Sequence, residues 1–317
     1  MIQKGQACIG IPTYKPDLKK LKVTIQSILN QDYKNIHIII SENSPKNDLV
    51  SKYVQSLKEM NISIEYHGQK KFLPQVENWD FCIMSSRSEF IMILGDDDEL
   101  SKDYISSSVK ILNNDQNYYG VACVIKHIFR DGRTCIDPGY FYENEDKLLR
   151  AKKFLFDETD TYINALMRTN IVQKFGFKNS ISYYWWPNKT AIQQLFTQFL
   201  FTCILYGKGT YNDKAIYFHQ DPRPRGFKAD FGEEDDKLAQ NVSEMKLGNF
   251  FVTSLKGYLR HFNLWFNYLK ISMRHDFKNF PTYLYYILIS FVYLEYRFTR
   301  KILRKLKNHF LKKESLY

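Results

Sequence analysis

The segment IMILGDDDEL, residues 91–100, joins four apolar residues to a cluster of acidic ones. A short apolar run bounded by polar residues is typical of a buried strand. Adjacent carboxylates repel one another, so Asp96, Asp97 and Asp98 lower stability unless a cation or a ligand's donors neutralise them. The segment therefore predicts a strand that ends at a ligand site. The alternative is that residues 98–101 cap the next helix and interact favourably with its dipole.

Strands and helices alternate in the sequence before this segment. Apolar, often β-branched runs predict strands at Ala7–Ile11 (ended by Pro12), Ile36–Ile40, Ile62–Tyr66 and Phe90–Leu94. Helical spacing of apolar residues predicts helices at Leu18–Leu29 with Asp17 as N-cap, at Leu49–Met60 and at Val76–Met84. This alternation predicts an α/β fold, a Rossmann-like and mostly parallel sheet flanked by helices.

Loops that follow the carboxyl ends of parallel strands build the ligand site of such a fold. Here these loops are Pro12–Tyr14, Glu42–Ser44, His67–Gln69 and Gly95–Asp98. Carboxylate oxygens at this edge suit Mn²⁺ or Mg²⁺, which bridge protein carboxylates to a diphosphate. The acidic cluster therefore favours a metal site over a simple helix cap.

The pattern is looser beyond the acidic cluster. Further predicted elements are a strand at Val121–Phe129, a strand leading into a helix at Ala165–Phe175, a helix at Thr190–Tyr206 and a last strand at Ala215–His219. Asp221–Asp236 is rich in Pro, Gly and charge, as linkers are. We expect one α/β domain over residues 1–225 and a helical, basic and aromatic module over residues 226–317.

Composition indicates an anionic partner and a reducing compartment. The 317-residue chain has a formal net charge of +11 and five cysteines without metal-ligand spacing. Residues 295–317 hold eight Lys/Arg against two Glu. The first residues lack the apolar core of a signal peptide. We therefore expect a cytoplasmic protein without a disulfide framework or a zinc site.

The apolar run Tyr283–Tyr296 is shorter than the roughly 20 residues that a spanning helix needs. Apolar residues then alternate with Lys/Arg at helical spacing up to Leu311, a pattern typical of helices that lie on anionic membranes. A buried helix with a solvated basic tail is the alternative. Nucleic acid is not expected as a partner, because no recognition fold accompanies the charge.

Four motifs in order resemble one enzyme family. They are Ile9-Gly10-Ile11-Pro12-Thr13-Tyr14, residues 25–31 (IQSILNQ), residues 39–44 (IISENS) and Gly95-Asp96-Asp97-Asp98. Over roughly residues 5 to 220 the chain resembles family-2 glycosyltransferases with the GT-A fold, which build bacterial surface polysaccharides. The resemblance implies Mn²⁺- or Mg²⁺-dependent, usually inverting transfer of a sugar from a nucleoside-diphosphate donor to a saccharide acceptor. A lipid-linked acceptor would place the protein on the inner face of the cell membrane.

The resemblance also implies roles for individual residues. Asp97 and Asp98 would lie nearest the metal and phosphate, with Asp96 toward the ribose. Glu42 stands where the family usually has an Asp that binds the base and ribose; an ordinary polar turn is the alternative. The predicted nucleotide-binding set is Pro12, Thr13, Tyr14, Glu42, Asn43, Gly68, Asn78 and Asp96, and the predicted metal set is Asp96, Asp97, Asp98 and His219.

Inverting transfer needs a carboxylate that takes the proton of the acceptor's hydroxyl group. The family usually supplies it from a segment that corresponds to Ser182–Gln194 here. No Asp or Glu occurs from Thr161 to Asn212, and aromatic residues 183–186 (YYWW) stand there instead. Asp137, Asp160, His219 and Asp221 are the candidate replacements. A retaining reaction with the departing phosphate as base, or a non-catalytic relative, are the alternatives. Arg223 and Arg225 could contact a diphosphate or belong to a solvated loop.

Two other functions remain open from the sequence. A nucleotidyltransferase would share the nucleotide-binding sheet but should carry a Gly-rich basic loop after the first strand, and Pro12–Pro16 (PTYKP) is not one. A non-catalytic nucleotide- or saccharide-binding protein would explain the missing acid. Binding of a nucleotide without turnover would distinguish it from an enzyme.

Overall fold

The structure is a computed structural model. It describes residues 2–43, 48–137, 139, 141–157, 164–180, 192–221 and 264–293. The basic segment 295–317 and most of the expected linker lie outside these ranges, as do residues 183–186, Asp160, Arg223 and Arg225.

The strands of the described part form one nine-stranded sheet. They are β1 (Gln3–Thr13), β2 (Ile36–Asn43), β3 (Ile64–Gln69), β4 (Ser88–Ile93), β5 (Glu99–Leu100), β6 (Tyr118–Phe129), β7 (Thr134–Asp137), β8 (Leu166–Arg168) and β9 (Lys208–Asp221). The order is β3-β2-β1-β4-β8-β6-β9-β5, and β7 pairs with β6. The first four strands in this order are parallel, as are β6 and β9, whereas β8, β5 and β7 are antiparallel to their neighbours.

Helices cover both faces of the sheet. They are α1 (Leu18–Leu29), α2 (Leu49–Glu59), α3 (Gln75–Ser85), α4 (Tyr104–Asn114), α5 (Lys147–Asp157), α6 (Thr169–Ser180), α7 (Ile192–Tyr206), α8 (264–275) and α9 (280–293). The Asp17 carboxylate caps α1 by accepting from the Lys19 N–H at 2.8 Å, as the sequence predicts.

The core has two layers because successive strand residues point to opposite faces. Ala7, Ile9 and Ile11 pack with α1, α2 and α4 on one face. Cys8 packs on the other face with α3, α5, α6 and α7. Helices α8 and α9 join this second layer through Trp265, Tyr268, Ile271, Tyr283 and Ile287. The predicted domain boundary at residue 225 lies outside the described residues and stays a prediction.

Strand β1 does not end at Pro12, contrary to the sequence prediction, but continues to Thr13. The Gly10 carbonyl points toward β4, where it accepts from the Leu94 N–H. The backbone nitrogen of Pro12, two residues later, points toward β4 as well. The β1–β4 register ends at Gly10, whereas pairing with β2 continues to Thr13. The missing N–H of Pro12 therefore breaks no ladder bond.

Strand β9 is fourteen residues long, whereas the sequence predicts five. Its first half, KGTYNDK, has little apolar pattern, and pairing with β6 holds it in the sheet. Short β5, β7 and helix α5 were not predicted. Strand β5 depends on pairing with the distant β9, whereas β7 forms a local hairpin with β6 and α5 buries Ala151, Phe154 and Leu155 at helical spacing, so both of these had a local signal.

Gly10 of β1 packs closely against α3, and α3 is the helix that carries the site residue Asn78. A Cβ at Gly10 would lie 2.7 Å from the Cys82 Cβ and 3.0 Å from the Ile93 Cδ1. Gly10→Ala should therefore lower the free energy of unfolding by about 1–3 kcal/mol, the usual penalty of overpacking. Denaturant titration checks this, with Val23→Ala on the exposed face of α1 as the control. An unchanged midpoint for Gly10→Ala would contradict the close packing.

Candidate functional site

The carboxyl ends of β1, β2, β3 and β4 meet at one edge of the sheet. Thr13 is in register with Glu42, and Glu42 with Gly68. The Thr13 hydroxyl donates a hydrogen bond to Asp96, in the turn after β4. The predicted ligand segments therefore share one location, although Pro12, Glu42, Asn43 and His67–Gln69 are the last residues of strands β1, β2 and β3 rather than loop residues. Tyr14 and Asn78 lie beside them.

The three acids of the turn have different surroundings. Asp96 is held by Thr13, whereas the Asp97 carboxylate lies 3.1 Å from the Lys20 Nζ of α1. The side chain of Asp97 is 34% exposed, and that of Asp98 is 5% exposed. Asp97 is thus the acid whose carboxylate reaches solvent without breaking a buried contact.

Asp98 is tied to β9. Its carboxylate accepts from the Tyr217 hydroxyl at 2.6 Å and from the Gln220 N–H at 2.8 Å, and the His219 Nδ1 lies 3.1 Å away. A Cβ at Gly95 would collide with this carboxylate, so the turn requires glycine there. Burial, and then the charge of Asp98, raise the pKa of Tyr217, which keeps its hydroxyl protonated as a donor.

The pKa of Asp96 is raised above its ordinary value. Burial is the main cause, and the neighbouring charges of Asp97 and Asp98 add to it. The hydrogen bond from Thr13 opposes the rise because it stabilises the charged form. A cation bound at the turn would act in the same direction as Thr13.

Asn78 connects the ends of β1 and β2 from helix α3. Its Nδ2 donates to the Ser41 carbonyl at 3.1 Å and approaches the Thr13 carbonyl at 3.4 Å, and its Oδ1 accepts from the Ser41 hydroxyl at 2.6 Å. Asn78 is buried, and its amide is occupied by these groups. It therefore positions the two strand ends that form the edge.

Glu42 is buried at the end of β2, where its carboxylate accepts from the Tyr66 hydroxyl at 2.7 Å. Burial and this contact with Glu42 raise the pKa of Tyr66, so the hydroxyl stays protonated and donates. The polar-turn alternative does not fit residues 42 and 43, because both belong to the strand.

Three polar side chains, His219, His127 and Asp137, form a chain of contacts that begins beside Asp98. The His219 ring is 5.1 Å from the His127 ring in an edge contact, and the His127 Nε2 lies 2.9 Å from the Asp137 Oδ2. Asp137, one of the candidate bases, is thereby linked to the acidic turn. Asp221 ends the backbone of β9, but its side chain lies outside the described residues, as does all of Asp160.

Comparison with known proteins identifies the family. The model of the family "Glycosyl transferase family 2" matches residues 8–195, more than half of the chain. The chain belongs to glycosyl transferase family 2.

A curated relative of this family-2 chain is the GalNAc(5)-diNAcBac-PP-undecaprenol beta-1,3-glucosyltransferase of Campylobacter jejuni subsp. jejuni. The two are 28% identical over 117 residues, which is 37% of each protein. The chain thus aligns with well under half of that relative.

Similar solved structures include TarS of S. aureus. The longer TarS chain has a TM-score of 0.52 at 15% identity, over 90% of this chain and 54% of that one. TarS 1-349 in complex with UDP has a TM-score of 0.54 at 13% identity, over 93% and 92% of the two chains. At such low identity the likeness bears on the fold alone, and it agrees with the predicted GT-A type.

A metal at the acidic turn of this family-2 chain would have oxygen ligands. No group of three His, Cys, Asp or Glu side chains in the described ranges converges on one metal position. Mg²⁺ and Mn²⁺ nevertheless often bind one or two carboxylates and take their remaining ligands from water and substrate phosphate. Asp97 fits this mode. Because the Nδ1 of His219 faces Asp98, only its Nε2 could serve as a metal ligand.

Several site residues were not predicted from the sequence: Lys20, Tyr66, Phe72, His127 and Tyr217. Only the last had a readable signal, because Tyr217 and His219 alternate in a predicted strand and so share a face. The other four depend on contacts between residues that are far apart in the chain.

Asp97 and Asp98 should respond differently to loss of charge. Asp97→Asn should leave the unfolding midpoint nearly unchanged, since an exposed ion pair contributes little, but should abolish metal-dependent binding of a nucleoside diphosphate. Asp98→Asn should lower the free energy of unfolding by about 1–3 kcal/mol, because buried donors on β9 lose a charged acceptor. Thermal unfolding and calorimetry with Mn²⁺ or EDTA measure both. Normal nucleotide binding by Asp97→Asn would contradict its role.

Proposed function

We propose that this protein transfers a sugar from a nucleoside-diphosphate donor to a saccharide acceptor. The observation that carries the proposal is the acidic turn at the sheet edge, where Asp96 contacts Thr13 and Asp97 remains accessible. The names of the relatives support it, since one is a glucosyltransferase and the TarS structures include complexes with UDP and UDP-GlcNAc.

The donor would lie along this edge with its nucleoside toward β1 and β2. Glu42 and Tyr14 would lie at the nucleoside end, and Asp96 would accept from the ribose. Asp97 would hold Mn²⁺ or Mg²⁺, which when bound offsets the charge on the departing diphosphate. Lys20, which pairs with Asp97, adds a cation beside the same phosphates. Asp98, through β9, keeps the turn in place.

The acceptor would be a lipid-linked saccharide in surface polysaccharide synthesis, and Asp137 would accept its proton. The Asp137 side chain is 47% exposed, and its partner His127 contacts His219 beside Asp98. A carboxylate paired with an imidazole can take a proton from a hydroxyl group in an inverting displacement. Asp137 is the acidic candidate for which these contacts support the role.

The test of function is release of nucleoside diphosphate from UDP-, GDP-, CDP- and dTDP-sugars in the presence of a saccharide acceptor. One donor class should turn over with Mn²⁺ or Mg²⁺, and EDTA should stop it. Tight nucleotide binding without any turnover would favour a non-catalytic relative instead. Failure to bind any of the four nucleotides would reject the proposal.

Asp137→Asn should lower kcat by about 10²–10⁴-fold, the usual contribution of a general base, while donor affinity stays within about twofold. The reason is that the base acts on the acceptor's proton and lies away from the nucleoside end. Steady-state kinetics and calorimetry separate the two effects. Glu59→Gln, at the far end of α2, is the matched control. Unchanged kcat would transfer the role to Asp160, His219, Asp221 or the departing phosphate.

We also propose that the protein lies on the cytoplasmic membrane surface, where a lipid-linked acceptor would be. None of the described helices is long and apolar enough to cross a bilayer. Helix α9 contains no charged residue, and one of its faces is exposed at helical spacing: Tyr285, Leu288, Ile289, Val292 and Tyr293. The Lys152 Nζ lies 5.5 Å from the Tyr286 ring beside this face. An apolar face with a flanking cation fits an anionic lipid surface.

Replacing the exposed face of α9 by charge should weaken membrane binding. Leu288→Glu/Val292→Glu should reduce the fraction that sediments with phosphatidylglycerol vesicles about tenfold, because two apolar contacts become anionic. Val23→Glu/Met60→Glu, also at exposed apolar positions, is the control. Wild-type protein should bind phosphatidylcholine vesicles less and lose binding in high salt. Equal sedimentation of both variants would contradict this surface.

A further inference from the structure

Tyr14 and Phe72 form an exposed aromatic pair at the rim of the site. Tyr14 directly follows β1, and Phe72 lies in the loop between β3 and α3. Their ring centroids are 5.6 Å apart and their planes meet at 81°. Tyr14 is 50% exposed and Phe72 62% exposed. Both rings are therefore accessible to a ligand.

Asn43 fixes the loop that carries Phe72. This buried residue ends β2, and its Nδ2 donates to the Leu73 carbonyl at 2.6 Å. Its Oδ1 accepts from the Leu73 N–H at 2.8 Å. The Asn43 amide therefore binds both the carbonyl and the N–H of Leu73, the residue after Phe72. This pair of bonds holds the loop at Leu73 against the sheet edge.

The aromatic pair lies at a defined end of the site relative to the acidic turn. Thr13, which contacts Asp96, immediately precedes Tyr14. The aromatic pair therefore lies next to the β1 end of the site, on the side of β2, whereas Lys20 and Asp97 lie toward α1. A nucleotide with its phosphates at Asp97 and its ribose at Asp96 would bring its base to these rings.

We infer that Phe72 is the stacking platform for the donor's nucleobase and that Asn43 is the positioning residue that holds it there. The inference rests on the proposed donor site and deepens it. Two rings at a right angle form a corner in which a planar base can stack on one ring and meet the other with its edge. The Lys15 Nζ lies 4.7 Å from the Tyr14 ring centre, so a cation already covers one face of that ring. Phe72 is the more open of the two.

Stacking on Phe72 would supply affinity without selecting the base, because every base has an aromatic face. Removing the ring should therefore weaken binding by a similar factor for each nucleotide that binds. The same loss should appear for the nucleoside alone, which has no phosphate. Inorganic pyrophosphate, which has no base, should bind unchanged.

The experiment is calorimetry on wild type, Phe72→Ala, Phe72→Trp and Asn43→Ala with three probes. The probes are the nucleoside diphosphate that wild type binds best among UDP, GDP, CDP and dTDP, its nucleoside, and pyrophosphate with Mn²⁺. Phe72→Ala should weaken the first two by about 5- to 100-fold, and Phe72→Trp should restore them. Phe277→Ala is a matched control, because Phe277 is 72% exposed and remote in sequence from the site.

Asn43→Ala should weaken the nucleoside as Phe72→Ala does, and the double variant Asn43→Ala/Phe72→Ala should show no further loss. That lack of additivity is expected if both residues act through one ring. A merely structural role of Asn43 would instead weaken pyrophosphate binding as well.

The outcomes separate this inference from the proposed function. If wild type binds none of the four nucleotides, the donor site itself is rejected. If wild type binds and Phe72→Ala binds the nucleoside equally well, the donor site stands and the stacking role of Phe72 is overturned. Weaker pyrophosphate binding by Phe72→Ala would also overturn it. Circular dichroism confirms that each variant is folded.

Discussion

The buried carboxylate of Asp98 is the contact on which the arrangement of the site depends. It accepts from the Tyr217 hydroxyl and the Gln220 N–H, and so ties the turn after β4 to a strand more than a hundred residues later. A buried carboxylate without such donors would be strongly destabilising. Because these bonds fix the turn after β4, Asp96 faces Thr13, and Asp97 faces Lys20 and solvent. Three consecutive acids thereby acquire three different surroundings.

The neighbouring strand ends are fixed by uncharged groups. Asn78 connects β1 to β2, Tyr66 donates to Glu42, and Asn43 holds the loop before α3. Such buried amides and hydroxyls are stable because their partners satisfy them. The groups that this edge exposes to a ligand include the Asp97 carboxylate, the two rings of Tyr14 and Phe72, and the Lys20 ammonium. These groups suit the phosphate and base ends of a nucleotide.

The parallel half of the fold could be predicted well from the sequence. The runs at Ala7–Ile11 and Ile36–Ile40, and the helix after Asp17, have local periodicity that their positions in the core explain. Prediction was poorest for β5 and the first half of β9, whose residues are in strands because each pairs with a strand that lies far away in the sequence. Periodicity reports a residue's own burial, and it carries no information about a partner strand elsewhere in the chain.

The sequence by itself determined that four strand ends would meet at one edge and that an acidic cluster would follow the fourth strand. It also determined family membership, through motifs in the right order. Only the tertiary structure decided which acid is buried and which is accessible, that Asn43 and Asn78 bond to backbone, and that Phe72 faces Tyr14. The physical reason is that order along a strand fixes which face a side chain takes, whereas its hydrogen-bond partner is set by residues brought close only when the sheet closes.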